Sequence, residues 1–498
     1  MFQTINQKDL SFFESLLADR CKSDLNTREA YNHDHTEDLH FTPCVVLLPQ
    51  NVEEVSQILA YCHQHNIPVT PAGARTGLSG GCLPIHGGVL LSSEKLNRII
   101  AIDEKNAQVI TEPGVITEAL QNAVKEKGLF YPPDPASKGS CFIGGNIAEN
   151  SGGPKAVKYG VTKDWVLNLE VVLADGTIMW TGANVLKNAT GYNLTQLVVG
   201  SEGTLAFVTK IVLKLIPHPT HTLLMLVPFY DAVQACEAVA AIFNAGFTPS
   251  GLEFMEHNAL KWSQAFSEDY SIEVKENHAA HLLIEVDGFD PEQLMKDCEG
   301  ILAVLEGYPT DEILFAESEA QKNTLWSLRR KVGEAVKVQS VYKEEDTVVP
   351  RYQLPQLLAT VKRIGQKYGF ESVCYGHAGD GNLHVNIIKG KLSDTFWNEE
   401  LTVAIRELFT EVVAMGGTIS GEHGIGITKL EFLSDAELKP FADYKQRIDP
   451  ECRFNKGKLM RQPAGSGSNI IHADLTNAYT PSFGLMSHES LIMQQSDI

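Results

Sequence analysis

The first half of the chain repeats a strand, helix, strand and loop order. Residues 45–48 are a short apolar run that predicts a strand, and Asn51 then caps a helix with an apolar stripe on one face. A second apolar run at 67–70 leads into a glycine-rich loop at 71–81. Two further strands are predicted at 99–103 and 108–112. This order is typical of an α/β opening.

The second half of the chain has a different pattern of predicted strands and helices. Strand-like and helical runs alternate, and longer helices flank a further strand. The predicted strands are 223–227, 281–286 and 343–351, and the predicted helices are 232–244, 291–305, 317–338 and 354–368. Such alternation favours an antiparallel sheet with helices on one side.

One stretch in this half concentrates polar chemistry. His377 and His384 flank a glycine turn, and Asn386 shares a strand face with His384 because side chains alternate along a strand. Further on, Glu422 and His423 stand between glycines. Two histidines and a carboxylate are a common open ligand set for a divalent metal. The alternative from spacing alone is two loop histidines and an unrelated Glu-His pair.

The loop at 71–81 can present several backbone N–H groups to one anion, as a pyrophosphate requires. It matches neither G-x-G-x-x-G nor the Walker pattern, so it predicts neither a Rossmann fold nor a P-loop. A surface loop without a ligand stays an alternative. Two more segments rich in glycine and small residues follow at 139–153 and 200–205.

Together, Gly-His-x-Gly-Asp-Gly-Asn-Leu-His at 376–384, Gly-Glu-His-Gly at 421–424 and the three glycine-rich loops resemble the type 4 FAD-binding oxidoreductases. These are vanillyl-alcohol-oxidase-like flavoproteins that include D-lactate dehydrogenases, glycolate oxidases and D-2-hydroxyglutarate dehydrogenases. The resemblance implies an α+β fold: a two-subdomain PCMH-type FAD-binding domain, then a substrate (cap) domain with an antiparallel sheet covered by helices. The expected divisions are an N-terminal helix and connector at 1–38, the FAD domain at 39–217, the substrate and metal domain at 218–460 and a flexible tail at 461–498.

The resemblance also implies the residues that contact FAD, taken from the three loops and from the closing segment near residue 455. They are Pro71, Gly73, Ala74, Arg75, Thr76, Gly77, Ser79, Gly80, Pro133, Asp134, Ser137, Gly139, Ser140, Gly144, Gly145, Asn146, Asn150, Ser151, Glu202, Gly203, Leu205 and Asn455. Some relatives attach flavin covalently through a histidine in the first loop. Residues 73–81 contain neither His nor Cys, so we expect noncovalent FAD.

The implied chemistry is oxidation of a 2-hydroxy acid. His377, His384 and Glu422 would hold a divalent metal, with zinc the first candidate and manganese or iron as alternatives. His423 would act as general base or, alternatively, support the metal. Asn386 would hydrogen-bond the substrate carboxylate. Arg329 would contact substrate or flavin, unless it forms only an ion pair on the helix surface.

Substrate size rests on two positions. Relatives that act on 2-hydroxyglutarate carry a Thr one turn after the helix Arg, where this chain has Gly333, and acidic residues crowd Lys343. We therefore expect a small D-2-hydroxy acid, with D-lactate before glycolate and D-2-hydroxyglutarate. A flavoprotein subunit that only relays electrons is an alternative, and so is an oxygen-using oxidase of alcohols or phenols. The metal set speaks against the latter.

The amino-acid composition narrows the possible partners and the cellular location of the protein. A formal net charge of −21 among 498 residues disfavours a nucleic-acid partner. Nine scattered cysteines without Cys-x-x-Cys predict free thiols and no iron–sulfur cluster, so we expect an external acceptor: a quinone, a cytochrome or an electron-transfer flavoprotein. Neither a signal peptide nor a transmembrane segment is predicted. We expect a cytoplasmic protein, peripheral to the membrane if its acceptor lies there, with a homodimer left open.

Overall fold

The computed structural model describes residues 2–36 and 39–461, and the expected tail lies outside this range except for Arg461. Within this range, the first half contains eleven strands and seven helices. The strands are β1 (Cys21–Lys22), β2 (Val45–Leu47), β3 (Val69–Ala72), β4 (Val89–Ser92), β5 (Ile99–Asp103), β6 (Gln108–Thr111), β7 (Leu129–Phe130), β8 (Val166–Val172), β9 (Ile178–Trp180), β10 (Phe207–Lys214) and β11 (Ile216–Pro217). The helices are α1 (Gln7–Leu17), α2 (Leu25–Ala30), α3 (Val52–Gln64), α4 (Thr117–Lys125), α5 (Ile143–Glu149), α6 (Ala156–Tyr159) and α7 (Leu194–Val198).

Two main sheets divide this half, as the PCMH-type expectation requires. The first sheet has the order β1-β2-β4-β3, with β2, β4 and β3 parallel. The second is antiparallel, in the order β5-β6-β10-β8-β9. Helix α3 begins after Asn51, whose side chain accepts the Glu54 N–H, and it buries Val55, Ile58 and Leu59 against the first sheet.

The described part of the second half contains seven strands and eight helices. The strands are β12 (His221–Phe229), β13 (Gly251–Glu256), β14 (Ala280–Gly288), β15 (Leu314–Phe315), β16 (Tyr342–Val348), β17 (Glu371–Gly376) and β18 (Asn382–Ile388). The helices are α8 (Ala232–Asn244), α9 (His257–Ser267), α10 (Pro291–Leu305), α11 (Glu319–Arg330), α12 (Val332–Gln339), α13 (Leu354–Tyr368), α14 (Leu401–Ala414) and α15 (Asp435–Ile448).

These strands form one antiparallel seven-stranded sheet in the order β15-β12-β14-β13-β17-β18-β16. Helices α8, α10, α13 and α14 cover one face, and α9, α11 and α12 cover the other. Both faces of the sheet are therefore buried. The expected antiparallel sheet covered by helices is confirmed, but the prediction of helices on one side is wrong, because helices pack on both faces.

Several predicted elements need correction. The single helix expected at 317–338 is two helices, because the chain turns at Lys331 between α11 and α12. The strand expected at 343–351 ends at Val348, and Arg351–Gln353 form a 3-10 turn. Strand β13 and helices α9, α14 and α15 had no prediction. Within the described residues, none of the helices is long and apolar enough to cross a membrane.

Candidate active site

The three glycine-rich segments meet at one cavity in the first half. Residues predicted to contact FAD make up much of its wall. Those that line it are Pro71, Gly73, Ala74, Arg75, Thr76, Gly77, Ser137, Gly144, Gly145, Asn146, Ser151, Glu202 and Gly203. Loops separated by more than a hundred residues therefore surround one space.

The other predicted FAD contacts lie outside this lining. They are Ser79, Gly80, Pro133, Asp134, Gly139, Ser140, Asn150, Leu205 and Asn455. Some of them brace the wall: the Asn455 amide donates to the carbonyls of Gly81 and Glu202, both at 3.0 Å, and so ties two loops together. Asp134 accepts the Lys155 N–H and lies 3.6 Å from Arg330.

Glycine residues without side chains form the part of the cavity wall that a flat ligand would approach closely. A Cβ at Gly145 would meet no atom within 4 Å, so it would project into open space. A Cβ at Gly144 would come within 2.5 Å of the Pro113 side chain, so helix α5 packs this closely only because residue 144 is glycine. A cavity lined by loop backbone and small side chains fits a dinucleotide such as FAD.

Four carboxyl groups lie at this cavity: Asp34, Glu149, Glu202 and Glu422. Asp34 and Glu149 had no prediction. Burial and the charges of Glu202 and Asp34 raise the pKa of Glu149 well above its usual value. Glu202 accepts the backbone N–H groups of Ile425 and Gly426 at 2.7 and 2.6 Å. The loop that carries Glu422 and His423 is thereby held against the cavity.

One predicted metal ligand and the predicted general base adjoin the same cavity. Glu422 and His423 line it, and a Cβ on Gly152 of the second glycine-rich segment would lie 3.1 Å from Glu422 Oε2. The glycine-rich loops and the loop that carries Glu422 and His423 lie more than two hundred residues apart in the chain, yet they form one continuous site.

His377, His384 and Glu422 converge as expected. The Nε2 atoms of His377 and His384 lie 3.3 and 3.4 Å from Glu422 Oε1. One ligand atom from each of the three residues lies within 4.8 Å of the others. Two imidazole nitrogens and a carboxylate oxygen directed at one point fit a divalent cation.

Two further carboxylates hold the imidazoles from behind. His377 Nδ1 lies 2.9 Å from both oxygens of Glu253, and His384 Nδ1 lies 3.1 Å from Glu344 Oε1. A carboxylate on the second ring nitrogen sets the tautomer and orients the imidazole toward a metal. Both histidines therefore present Nε2 to the common point.

The surrounding charges set the pKa values of these groups. Burial lowers the pKa of both imidazoles, but nearby carboxylates outweigh it. Glu253 and Glu422 raise the pKa of His377 well above its usual value, and Glu344 and Glu422 raise that of His384 to about 9. Burial opposes ionisation of Glu422, yet the two histidines hold its pKa well below the usual range.

Asp346 positions the loop at 421–423. Its Oδ2 accepts the backbone N–H groups of Gly421, Glu422 and His423 at 2.8, 2.7 and 2.9 Å. The His423 ring stacks on His384 with centroids 5.3 Å apart. His423 lies at the cavity wall, and its side chain is 14% exposed against 5% for His384, so His423 is the more accessible imidazole.

Arg329 is buried rather than on the helix surface. Its Nη2 lies 2.7 Å from Glu253 Oε2, and its guanidinium lies 5.0 Å from the Tyr375 ring centroid. Its Nε and Nη2 have no well-oriented hydrogen-bond acceptor among the described residues. The guanidinium therefore braces the carboxylate behind His377.

Asn386 was expected to hydrogen-bond the substrate carboxylate, and its surroundings, like those of Lys343, bear on where a carboxylate could bind. The Asn386 side chain is fully buried, and its amide nitrogen donates to the Val373 carbonyl at 3.3 Å. Its Oδ1 has no partner in the described part of the chain, so its unpaired atom is an acceptor and not a donor for a carboxylate. Lys343 lies on the opposite face of β16 from Glu344, near Trp397. Lys343 is thus not placed to meet a second carboxylate.

Glu253, Glu344 and Asp346 are functional residues that sequence reasoning missed. Alternation along β16 could have found two of them, since Glu344 and Asp346 pair in register with Asn386 and His384 and share their face. Nothing local marks Glu253, because its role depends on β13 lying beside β17.

Comparison with known proteins agrees with this architecture. Residues 43–182 match the family model described as FAD binding domain, and residues 218–459 match the model described as FAD linked oxidases, C-terminal domain. The chain is 38% identical over 450 residues to glycolate oxidase subunit GlcD of Bacillus subtilis, covering 88% of this chain and 93% of that protein.

Two further relatives extend the comparison. D-lactate dehydrogenase of Anaerostipes hadrus is 35% identical over 425 residues, covering 84% of this chain and 89% of its own length. The solved structure of 4-ethylphenol oxidase from Gulosibacter chungangensis superposes with a TM-score of 0.74 at 18% identity, covering 93% of this chain and 99% of that one. At that identity the likeness concerns the fold alone.

Proposed function

The chain belongs to the FAD-linked oxidase family, and from this premise we propose that it is an FAD-dependent dehydrogenase of small D-2-hydroxy acids, with D-lactate favoured. The product is the 2-oxo acid, and electrons leave to an external acceptor. The observation that carries the proposal is the adjacency of Glu422 and His423 to the cavity formed by the glycine-rich loops. Relatives named for D-lactate and glycolate support this substrate class, with glycolate second.

Noncovalent FAD, when bound in the cavity, supplies a hydride acceptor. A divalent cation held by His377, His384 and Glu422, zinc before manganese or iron, supplies Lewis acidity that lowers the pKa of a substrate hydroxyl. The fit of the ligand set rests on the Nε2 atoms turned to one point and on Glu253 and Glu344 behind the rings. The remaining tasks belong to side chains of the protein.

His423 takes the hydroxyl proton as general base. Its ring is accessible at the cavity wall and lies beside His384, so it can reach a hydroxyl held between the metal ligands and the cavity. The Asp346 carboxylate accepts the backbone N–H of His423 and so fixes the loop that carries the ring. Support of the metal by His423 is the competing role, and it predicts metal loss when His423 is removed.

Arg329 binds the substrate carboxylate. Its buried N–H groups without well-oriented acceptors suit an anion, and the ion pair with Glu253 fixes the guanidinium. Because Gly333 has no side chain and Lys343 faces away, a second carboxylate lacks a cationic partner there. This favours D-lactate over D-2-hydroxyglutarate.

The test is a screen of 2-hydroxy acids under anaerobic conditions. Acid denaturation should first release yellow FAD into the supernatant; colour retained in the pellet would contradict noncovalent binding. D-lactate should then bleach the flavin of the native protein faster than D-2-hydroxyglutarate at equal concentration, followed by stopped-flow absorbance. Failure of every 2-hydroxy acid to reduce the flavin would refute the proposed reaction.

A further inference from the structure

Glu344 lies on the other side of the His384 ring from Glu422, where it forms one wall with Asn386 and Tyr375. Its Oε1 lies 3.1 Å from His384 Nδ1, whereas Glu422 lies beside Nε2 of the same ring. The Glu344 side chain is 14% exposed, about as much as His423 and Glu422. The carboxylate that pairs with His384 is therefore about as accessible as the two side chains at the cavity wall.

This wall offers hydrogen-bond acceptors. Glu344 and Asn386 are paired in register on neighbouring strands, so their side chains lie next to each other on one face. The Val373 carbonyl fixes the Asn386 amide nitrogen on its own side, which leaves Oδ1 without a partner among the described residues. The neighbouring Tyr375 hydroxyl already donates to Glu344 at 3.3 Å.

The charge partner of Glu344 is the His384 imidazole, and neither Gly333 nor Lys343 adds a cation for a second carboxylate. Gly333 of helix α12 faces the Tyr375 hydroxyl, and a Cβ there would lie 3.2 Å from that oxygen. Lys343 is turned to the other face of β16. A carboxylate at the far end of a substrate would meet the Glu344 carboxylate, whereas a hydroxyl would supply the proton that an acceptor needs.

We propose that Glu344 is a specificity residue whose subsite takes a hydroxyl-bearing tail, so that the preferred substrates are polyhydroxy D-2-hydroxy acids with one carboxylate. The inference rests on the proposed function and refines its substrate class. The His384 ring separates Glu344 from Glu422. The hydroxyl of the substrate tail that reaches Glu344 therefore belongs on a carbon beyond C3. D-2,4-dihydroxybutyrate is the smallest acid that meets this requirement.

Three acids of equal carbon number test the subsite: D-2,4-dihydroxybutyrate, D-2-hydroxybutyrate and D-malate. A hydrogen bond to a charged acceptor corresponds to about a 10- to 100-fold preference, so the dihydroxy acid should exceed 2-hydroxybutyrate by that factor in the rate of flavin reduction per unit concentration. D-malate should be the poorest of the three. Calorimetric Kd values of the matching 2-oxo acids on the oxidised holoprotein give the same order without turnover.

The matched variants are Glu344→Gln and Glu345→Gln, since Glu345 is the adjacent carboxylate on the opposite face of β16. Glu344→Gln should reduce the preference for the dihydroxy acid about tenfold and improve D-malate relative to 2-hydroxybutyrate. Any disturbance of His384 affects all three acids and cancels in the ratio. Glu345→Gln should leave the ratios unchanged.

Several outcomes would overturn the subsite. They are equal or better use of 2-hydroxybutyrate by the wild-type protein, an unchanged ratio in Glu344→Gln, and tighter binding of the 4-amino analogue than of the 4-hydroxy acid, which would indicate an ammonium subsite. The wild-type comparison needs no variant to fold. If D-lactate and all three acids fail to reduce the flavin, the proposed function fails instead, so the two failures are distinguishable.

Discussion

Two groups of three histidines lie at the seven-stranded sheet, and their surroundings differ. In the first group, His377 and His384 have a carboxylate on each ring nitrogen, and His423 stacks beside them. In the second group, His278 pairs with Asp311 at 2.9 Å, His257 lies 3.7 Å from Glu276, and His281 has no hydrogen bond from either ring nitrogen to a described residue.

Equal burial gives these imidazoles opposite properties. His384 and His281 are both nearly inaccessible, yet Glu344 and Glu422 raise the pKa of His384 to about 9, whereas burial and the neighbouring histidines lower that of His281 to about 3. The charged partners, and not burial, decide whether the pKa of these buried histidines rises or falls. Within the described residues, the sets of three side chains that could hold a metal ion contain histidines of the first group and none of the second.

The largest expected effect separates the roles within the first group. His423→Ala should slow flavin reduction by about two to four orders of magnitude and leave most of the metal, because a positioned base contributes about that much. His377→Ala should lose both metal and reduction. Elemental analysis and single-turnover reduction measure the two quantities, and FAD should stay bound in both variants.

His257→Ala is the control from the second group and should change neither quantity. If His423→Ala loses the metal as fully as His377→Ala does, then His423 is a ligand or its support. If His377→Ala keeps its metal and its rate, the metal site is elsewhere or absent.

A smaller effect tests the carboxylate partners themselves. Glu253→Gln removes the charge behind His377, so metal affinity should fall about 10- to 100-fold while FAD binding is unchanged. Metal titration with a competing chelator measures the loss. Glu276→Gln is the matched change beside His257, where the carboxylate is exposed, and it should have no effect. An unchanged affinity in Glu253→Gln would show that the partner does not support the ligand.

The smallest expected effect concerns His281 and the loss of folding stability at acidic pH. Its pKa is about 3 in the folded protein and returns to about 6.5 on unfolding. Between these values the unfolded chain binds more protons, so the free energy of unfolding falls by up to about 1.4 kcal/mol per unit as the pH drops. His281→Phe should remove this loss, and its Tm advantage over the wild type should widen from pH 7 to pH 5.

The control for this change is His33→Gln on the exposed N-terminal connector, which should keep the wild-type dependence on pH. Parallel Tm curves for His281→Phe and the wild type over this range would show that His281 is not the group that titrates.

Local chemistry made much of the fold predictable. Helices α8, α10 and α13 match the predicted bounds, since Asp231 and Asp290 cap the first two and Gly369 ends the third in a left-handed conformation. The break at Lys331 was not predictable, because the apolar pattern continues from α11 into α12 and the turn depends on packing against the sheet.

The sequence by itself determined the helix caps, the glycine turns and the strand face that His384 shares with Asn386, because these are local signals. Through its resemblance to a known family it also implied the fold class, the three cavity loops and the grouping of His377, His384 and Glu422. Only the tertiary structure decided which carboxylates stand behind the histidines, since Glu253, Glu344 and Asp346 reach them across neighbouring strands. It also decided that Lys343 faces away and that Asn386 offers an oxygen. Strand pairing places side chains that are distant in the chain within one hydrogen bond, and no local pattern contains that information.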